Sequence, residues 1–255
     1  MKLQILQENL EKAVSTTSRF ASTRAQLPIL GNILISTRKS KIYISSTNLE
    51  ISASVQVGAK IEEEGEISVP AKVISELISN LPKETVSLSA EKEQLKVSVS
   101  GFSSTVLGMN SSDFPKIPNT IDKEKSISFS QNEFVKSLGQ VVFATSTDET
   151  RPILTGVLFL FGKDSLSLVA TDGFRLSRKN LQVKTGKGAG ESVVIPKGVL
   201  GELSRTVSED GVVLFNVQEK EKQAIFGIGD TILTSRLLEG EYPDYEKIIP
   251  KSSTI

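Results

Sequence analysis

The first half of this chain returns in its second half at a nearly constant spacing, and that repetition restricts the fold more than any other feature. Leu27-Pro28-Ile29-Leu30 reappears as Arg151-Pro152-Ile153-Leu154, a spacing of 124 residues (152 − 28). The same spacing pairs Gln7 with Gln131, Lys12 with Lys136, and Thr47-Asn48 with Thr171-Asp172. Val69-Pro70 answers Ile195-Pro196 at 126, and Phe114-Pro115 answers Tyr242-Pro243 at 128, so the copies differ only by a few loop residues. A period this long describes whole domains rather than solenoid turns, because each copy can bury a core of its own. The chain therefore reads as two tandem domains, residues 1–122 and 123–250, joined near 119–126.

Composition then removes chemistry. The 255 residues include no His, Cys or Trp, which excludes thiol nucleophiles, disulfides and histidine-based acid–base mechanisms. Glu8 and Glu11 interrupt the start where a signal peptide would need an apolar run, and the apolar stretch from Gly156 to Gly162 is the length of a strand. A cytoplasmic chain with no membrane partner, metal or cofactor is expected. Thirty basic and thirty acidic residues cancel, so any attraction to nucleic acid must come from a local patch.

Periodicity is the same in both copies. Ile42 and Ile44, Val55 and Val57, Val86 and Leu88, and Leu95, Val97 and Val99 alternate with polar residues as half-buried antiparallel strands do, and Leu166 and Leu168 repeat this in the second copy. Helical spacing appears over roughly 7–19, 70–80, 131–143 and 196–207, with Pro70 and Pro196 placed as first helical residues. The order predicts an α+β fold in which each domain consists of two similar halves, with two helices side by side on curved sheets.

Each helix shows at least one cation opposite its apolar face. The first buries Leu10, Val14 and Ala21 and shows Lys12, Thr16 and Arg19; the second buries Val73, Ile74, Leu77 and Ile78 and shows Lys72. The third buries Phe134, Leu138, Val141 and Val142 and shows Lys136 and Gln140, and the fourth buries Val199, Leu200 and Leu203 and shows Lys197 and Arg205. Glu11, Glu76, Glu133 and Glu202 dilute the pattern, and an ordinary solvated face is the better explanation of it taken alone.

Four segments carry a more specific signal: LPILGNILI (27–35), STDETRPILTGVLF (146–159), VATDGFRLS (169–177) and EGEYPDYEKIIP (239–250). Together they resemble the bacterial sliding clamp, the beta subunit of DNA polymerase III, along the whole chain. The resemblance implies tandem DNA-clamp domains, each of two β-α-β-β-β halves, whose helices line a ring. It also implies a third such domain, of which 251–255 would be the start. The full-length form is then a homodimeric ring, and this chain is expected to be monomeric.

The implied function is a processivity factor that encircles double-stranded DNA and tethers a polymerase, with no catalysis of its own. Arg24, Lys72, Lys197 and Arg205, with Lys12, Arg19 and Lys136, would meet phosphates in sequence-independent, salt-sensitive contacts. Leu154, Thr171, Gly173, Phe174, Arg175, Leu176, Pro243, Lys247 and Ile248 match the pocket where that family docks a short peptide from the polymerase III alpha subunit, the clamp loader and other partners carrying the motif. Two alternatives stand beside it. One is an interaction scaffold that never touches DNA; the other is a metal-assisted or carboxylate enzyme built on Asp148, Glu149, Arg151 and Asp172. Thr185–Gly190 lacks the spacing of a phosphate-binding loop and reads as a hairpin loop.

Overall fold

The structure is a computed structural model that describes residues 1–22, 27–38, 40–184, 191–206 and 211–249, with the side chain of Ile248 excepted. Arg24, the Thr185–Gly190 loop and residues 251–255 lie outside this set. In chain order the first copy runs β1 (Lys2–Leu6), α1 (Gln7–Ser18), β2 (Asn32–Arg38), β3 (Lys41–Thr47), β4 (Ile51–Gly58), a short β5 (Lys60–Glu63), β6 (Glu66–Pro70), α2 (Ala71–Ser79), β7 (Thr85–Glu91), β8 (Gln94–Val99) and β9 (Phe102–Leu107). The second runs β10 (Ile127–Ser130), α3 (Gln131–Gly139), β11 (Gly156–Phe161), β12 (Ser165–Thr171), β13 (Leu176–Gln182), β14 (Ser192–Pro196), α4 (Lys197–Thr206), β15 (Val212–Gln218), β16 (Gln223–Ile228) and β17 (Thr231–Arg236). Apart from β5, strand–helix–three strands recurs four times, as the periodicity predicts, and the paired strands are antiparallel.

The chain divides into two compact units, Met1–Ser128 with Asp210–Ser235, and Phe129–Glu209 with Arg236–Ile255. The first holds a five-stranded sheet ordered β5-β1-β7-β8-β9 and most of an eight-stranded sheet ordered β10-β15-β16-β17-β4-β3-β2-β6. Within it α1 packs on α2, over a core of Leu3, Ile5, Leu10, Val14, Ile33, Ile35, Ile42, Ile44, Ile74, Ile78, Val86, Leu88, Leu95 and Val97. The second unit has a four-stranded sheet ordered β13-β12-β11-β14 and packs α3 against α4. Its core is aromatic: Phe129 stacks on Phe134 at 4.6 Å, and Phe134 meets Phe159 edge-on at 6.3 Å.

The helices differ from the sequence expectation in several places, and Leu77, expected in the buried stripe of α2, is only half-buried. Val73 is 50 % exposed, because Ala71, Ile74 and Ile78 set the buried stripe of α2 and Val73 falls beside it. The third helix stops at Gly139; Val141 is buried all the same, while Val142 opens a separate 3-10 turn and is only half-buried. Ala21 lies beyond the end of α1 and is half-buried. Pro70 is the cap residue before α2, with ψ of 120°, and ends β6, and Pro196 likewise ends β14 before α4 begins at Lys197, so both rings serve strand-to-helix corners rather than first helical turns.

The two copies share one turn in atomic detail. After β3, Thr47 Oγ1 accepts from the Leu49 amide at 3.0 Å and donates to the Ile51 carbonyl at 3.0 Å, while Asn48 Oδ1 accepts from the amides of Glu50 and Ile51 at 3.0 and 2.8 Å. After β12, Thr171 Oγ1 accepts from Gly173 at 3.1 Å and donates to the Arg175 carbonyl at 2.7 Å, while Asp172 Oδ1 accepts from Phe174 and Arg175, both at 3.0 Å. The third residue is left-handed in both, at φ 75° for Leu49 and 93° for Gly173. Glycine adopts this readily; for leucine it costs about 1 kcal/mol. Leu49→Asn, which keeps a residue tolerant of that conformation, is expected to raise unfolding free energy by up to about 1 kcal/mol in urea titrations, and a variant no more stable than the parent would contradict the strain.

Candidate functional site

A second apolar cluster sits on one face of the β13-β12-β11-β14 sheet. Register places Val194, Leu158, Val169 and Arg178 in one row across it, through the pairs Leu158–Val194, Leu158–Val169 and Val169–Arg178. Directly opposed residues in an antiparallel sheet share a face. Leu158, Val169, Val194 and Tyr245 form the buried part of the cluster, and Ile153, Leu176, Leu238 and Tyr242 pack against it, partly buried. The chain crosses back over this face because the Leu238 amide donates to the Val194 carbonyl at 2.9 Å. Gly156 makes that approach feasible: a Cβ there would lie 2.6 Å from the Ile195 carbonyl oxygen and 2.7 Å from Leu238 Cδ1.

The docking residues expected from sequence are placed around this cluster to different degrees. Leu176 belongs to it, and Thr171, its cross-strand partner, anchors the adjoining turn that carries Gly173, Phe174 and Arg175. Leu154 is buried, but its neighbour Ile153 is the residue that packs on the cluster. Pro243 and Lys247 are exposed at the rim, where Lys247 pairs with Asp244 at 3.0 Å; the Ile248 side chain lies outside the described residues. Phe174 is 99 % exposed, and the guanidinium of Arg175, bonded to Asp172 at 2.9 Å, stands 5.7 Å above the exposed ring of Phe143.

Sequence reading missed Val169, Val194, Leu238, Tyr242 and Tyr245. The signal for the tyrosines was present, since Tyr242 occupies the position of Phe114, which packs with Ile29, Leu30, Leu34 and Ile117 in the first copy.

Electrostatics at this site follow from local hydrogen bonds. The amides of Arg175 and Phe174 hold the Asp172 carboxyl below its ordinary range, with smaller help from the Arg175 side chain. Lys247 does the same for Asp244. Burial pushes the Tyr242 phenol up to about 12, so it stays protonated and donates, at 3.4 Å, to the Val169 carbonyl. Asp148 is lowered by the hydroxyl and amide of Thr150, which donate to it at 2.7 and 2.9 Å. Asp148 and Asp172 thus each order a turn, and among the described residues no cluster of three or more acidic side chains could hold a metal.

The helix-borne cations are not equivalent. Lys12 on α1, Lys72 on α2 and Lys136 on α3 are all exposed, with Lys72 3.9 Å from Glu76. Arg19, just past α1, donates to the Thr16 carbonyl. Arg205 bonds to Glu202 one turn back on α4. Lys197 is half-buried, and its Nζ donates to the Ser146 carbonyl at 2.9 Å, which ties the start of α4 to the loop before β11. Arg24 lies outside the described residues. A cleft of about 680 Å³ lies in the first unit, between Glu66, Glu93, Leu107 and Met109, and contains none of the expected site residues.

Because the folded Asp172 is held below its ordinary value of 3.8, it contributes stability above that value and loses it as pH falls through the lowered one. Asn48 shows that an amide oxygen supports the same turn. Asp172→Asn is therefore expected to fold, and its stability difference from the parent should shrink as pH drops below about 4. A difference independent of pH in chemical denaturation would contradict this.

The family model for the DNA polymerase III beta subunit, N-terminal domain, matches residues 1–118, and that for its central domain matches residues 128–244. The Beta sliding clamp of Synechocystis sp. is 32 % identical over 272 residues, covering 98 % of this chain and 69 % of the relative. That of Bacillus subtilis is 31 % identical over 262 residues, covering 99 % and 69 %. Among solved structures, the DNA polymerase sliding clamp of Bacillus subtilis superposes with a TM-score of 0.93 at 28 % identity over 99 % of this chain and 68 % of that one. The DnaN sliding clamp of Pseudomonas aeruginosa bound to griselimycin superposes at 0.89 with 26 % identity, over 100 % and 69 %. The chain belongs to the family of bacterial DNA polymerase III beta subunits, the beta sliding clamps.

Proposed function

We propose that this chain works as a DNA sliding clamp, a non-catalytic processivity subunit that holds a polymerase on duplex DNA through a peptide-docking site. The observation that carries the reading is the match of two family domains, and of relatives along 98 % of this chain and 69 % of their own length, to a chain whose β-α-β-β-β halves recur four times. A clamp acts by topology: encirclement makes polymerase rebinding intramolecular, so no single DNA contact has to be strong. Cations mounted on paired helices suit that task, each neutralising a phosphate with little hold on position. Lys12, Arg19, Arg24, Lys72 and Lys136 are assigned to DNA, together with Lys197 and Arg205, whose ties to Ser146 and Glu202 reduce their reach.

Docking is assigned to Leu154, Thr171, Gly173, Phe174, Arg175, Leu176, Pro243, Lys247 and Ile248, joined by Ile153, Leu238 and Tyr242 from the apolar cluster. An apolar floor with a few polar groups at its rim is what a short peptide anchor requires. The polymerase III alpha subunit and the clamp loader are the assigned partners. Residues 1–122 and 123–250 are read as two clamp domains, and the chain by itself as a cytoplasmic monomer. Among the described residues no helix is long and apolar enough to cross a membrane.

Two experiments test this. Leu176→Ser puts into the second copy the residue that Ser52 supplies at the same place in the first (176 − 52 = 124), so the fold should survive. Calorimetric titration with a clamp-binding-motif peptide should show affinity falling by about tenfold or more, as follows from removing roughly 1.4 kcal/mol of apolar burial. Equal binding by parent and variant would overturn the docking site. Joint replacement of Lys12, Lys72 and Lys136 by alanine should flatten the dependence of duplex-DNA binding on salt by about 0.9 in log–log slope for each phosphate no longer neutralised. An unchanged slope would favour the scaffold that never touches DNA.

A further inference from the structure

The docking cluster contains one polar atom that the fold does not use. Tyr245 is 6 % exposed, and its hydroxyl is buried with no hydrogen-bond partner among the described residues. Such a group is destabilising by itself, because folding takes it from water and returns nothing. The first copy shows that the architecture does without it. At the corresponding position stands Ile117 (245 − 117 = 128, the spacing that also relates Phe114 to Tyr242), and it closes the equivalent cluster of Ile29, Leu30, Leu34 and Phe114 with hydrocarbon alone. The second copy places two hydroxyls where the first has none: that of Tyr242 reaches the Val169 carbonyl, and that of Tyr245 is left over.

The surroundings fix the ring and leave its polar end unmatched. The guanidinium of Arg178 lies 5.8 Å from the centre of the Tyr245 ring. Ile153, Leu176, Leu238 and Tyr242, which pack against the cluster that holds Tyr245, are only partly buried, so the cluster is covered by side chains that reach solvent rather than by a sheet or helix.

We infer that Tyr245 is a specificity-determining residue of the docking site: its hydroxyl donates to a carbonyl oxygen, main-chain or side-chain amide, of the docked peptide once the covering side chains turn aside. This inference rests on the peptide-docking reading of Leu176 and its neighbours. A floor with a waiting donor rejects a wholly hydrocarbon side chain there, since such a ligand would leave the hydroxyl unpaired in the complex as well.

The test compares the parent chain, Tyr245→Phe and Leu176→Ser, titrating each with a synthetic clamp-binding-motif peptide and recording its melting temperature without peptide. Tyr245→Phe is expected to lose about five- to tenfold in affinity while melting at the same temperature as the parent or higher, because the phenylalanine removes an unpaired buried hydroxyl. Parent-like affinity for Tyr245→Phe beside weakened Leu176→Ser would overturn the role of the hydroxyl and leave the docking site standing. Lower melting of Tyr245→Phe would overturn it too, by showing that the hydroxyl already has an internal partner. Binding that none of the substitutions alters, or no binding at all, would remove the docking site and this inference with it.

Discussion

Backbone hydrogen bonding between β4 and β17 is the interaction on which the remainder of the first unit depends. Thr231 to Ser235 pair with Val55 to Ile51 in antiparallel register, and the seam is extended by the Gln56 amide donating to the Asp230 carbonyl at 2.8 Å. Without it β4 and β17 would each present a row of unpaired amides and carbonyls, which proteins avoid. With it, strands from both sequence copies form one sheet, in which β15 to β17 are flanked by β10 of their own repeat on one side and by β4, far upstream in the chain, on the other. Small side chains suit this seam: Ser52 and Ser54 on β4 and Thr234 and Ser235 on β17 are all buried there.

Much of this organisation was legible in the residues. The 124-residue spacing and the alternation of Ile42, Ile44, Val86, Leu88, Leu95 and Val97 anticipate the halves and their strands, because period-two burial is written directly into sequence. Helix faces were harder. One residue of turn places Val73 beside its stripe, and a helix that stops at Gly139 cannot be told by pattern from one that continues to 143. The proposed docking site was legible at its turn, where Thr171, Asp172 and Gly173 have geometric duties, and illegible in the apolar cluster beside it. Val169 and Val194 alternate like any core valine, and alternation does not say which sheet face a partner will use.

Comparison of the copies separates what the fold requires from what was added to it. The turn after β3 and the turn after β12 make the same four hydrogen bonds, yet one presents Leu49 and Glu50 and the other Gly173 and a fully exposed Phe174. Folding therefore explains the threonine and the Asx residue of each turn and leaves Phe174 unexplained. The same holds on the sheet, where Ser45, Ser52 and Ser68 in the first copy become Val169, Leu176 and Val194 in the second. Asn32 donates to Ser68 at 2.9 Å and Ser45 to Ser54 at 2.9 Å, so the first copy spends this face on internal polar contacts. The second replaces them with hydrocarbon and a glycine, Gly156, at the position of Asn32. A duplicated backbone has kept its geometry while one copy carries polar contacts on this face and the other an apolar cluster.

The seam also sets an order of events during synthesis. Val55 and its partner Thr231 are 176 residues apart (231 − 55), and a ribosome adding about 5–20 residues per second needs roughly 9–35 s to produce the second after the first. Throughout that interval the β4 edge, with the uncharged sequence Ile51 to Gly58, is complete but unpaired. Two nascent chains on one messenger would meet with the same open strand, an edge able to pair chain to chain before its native partner exists.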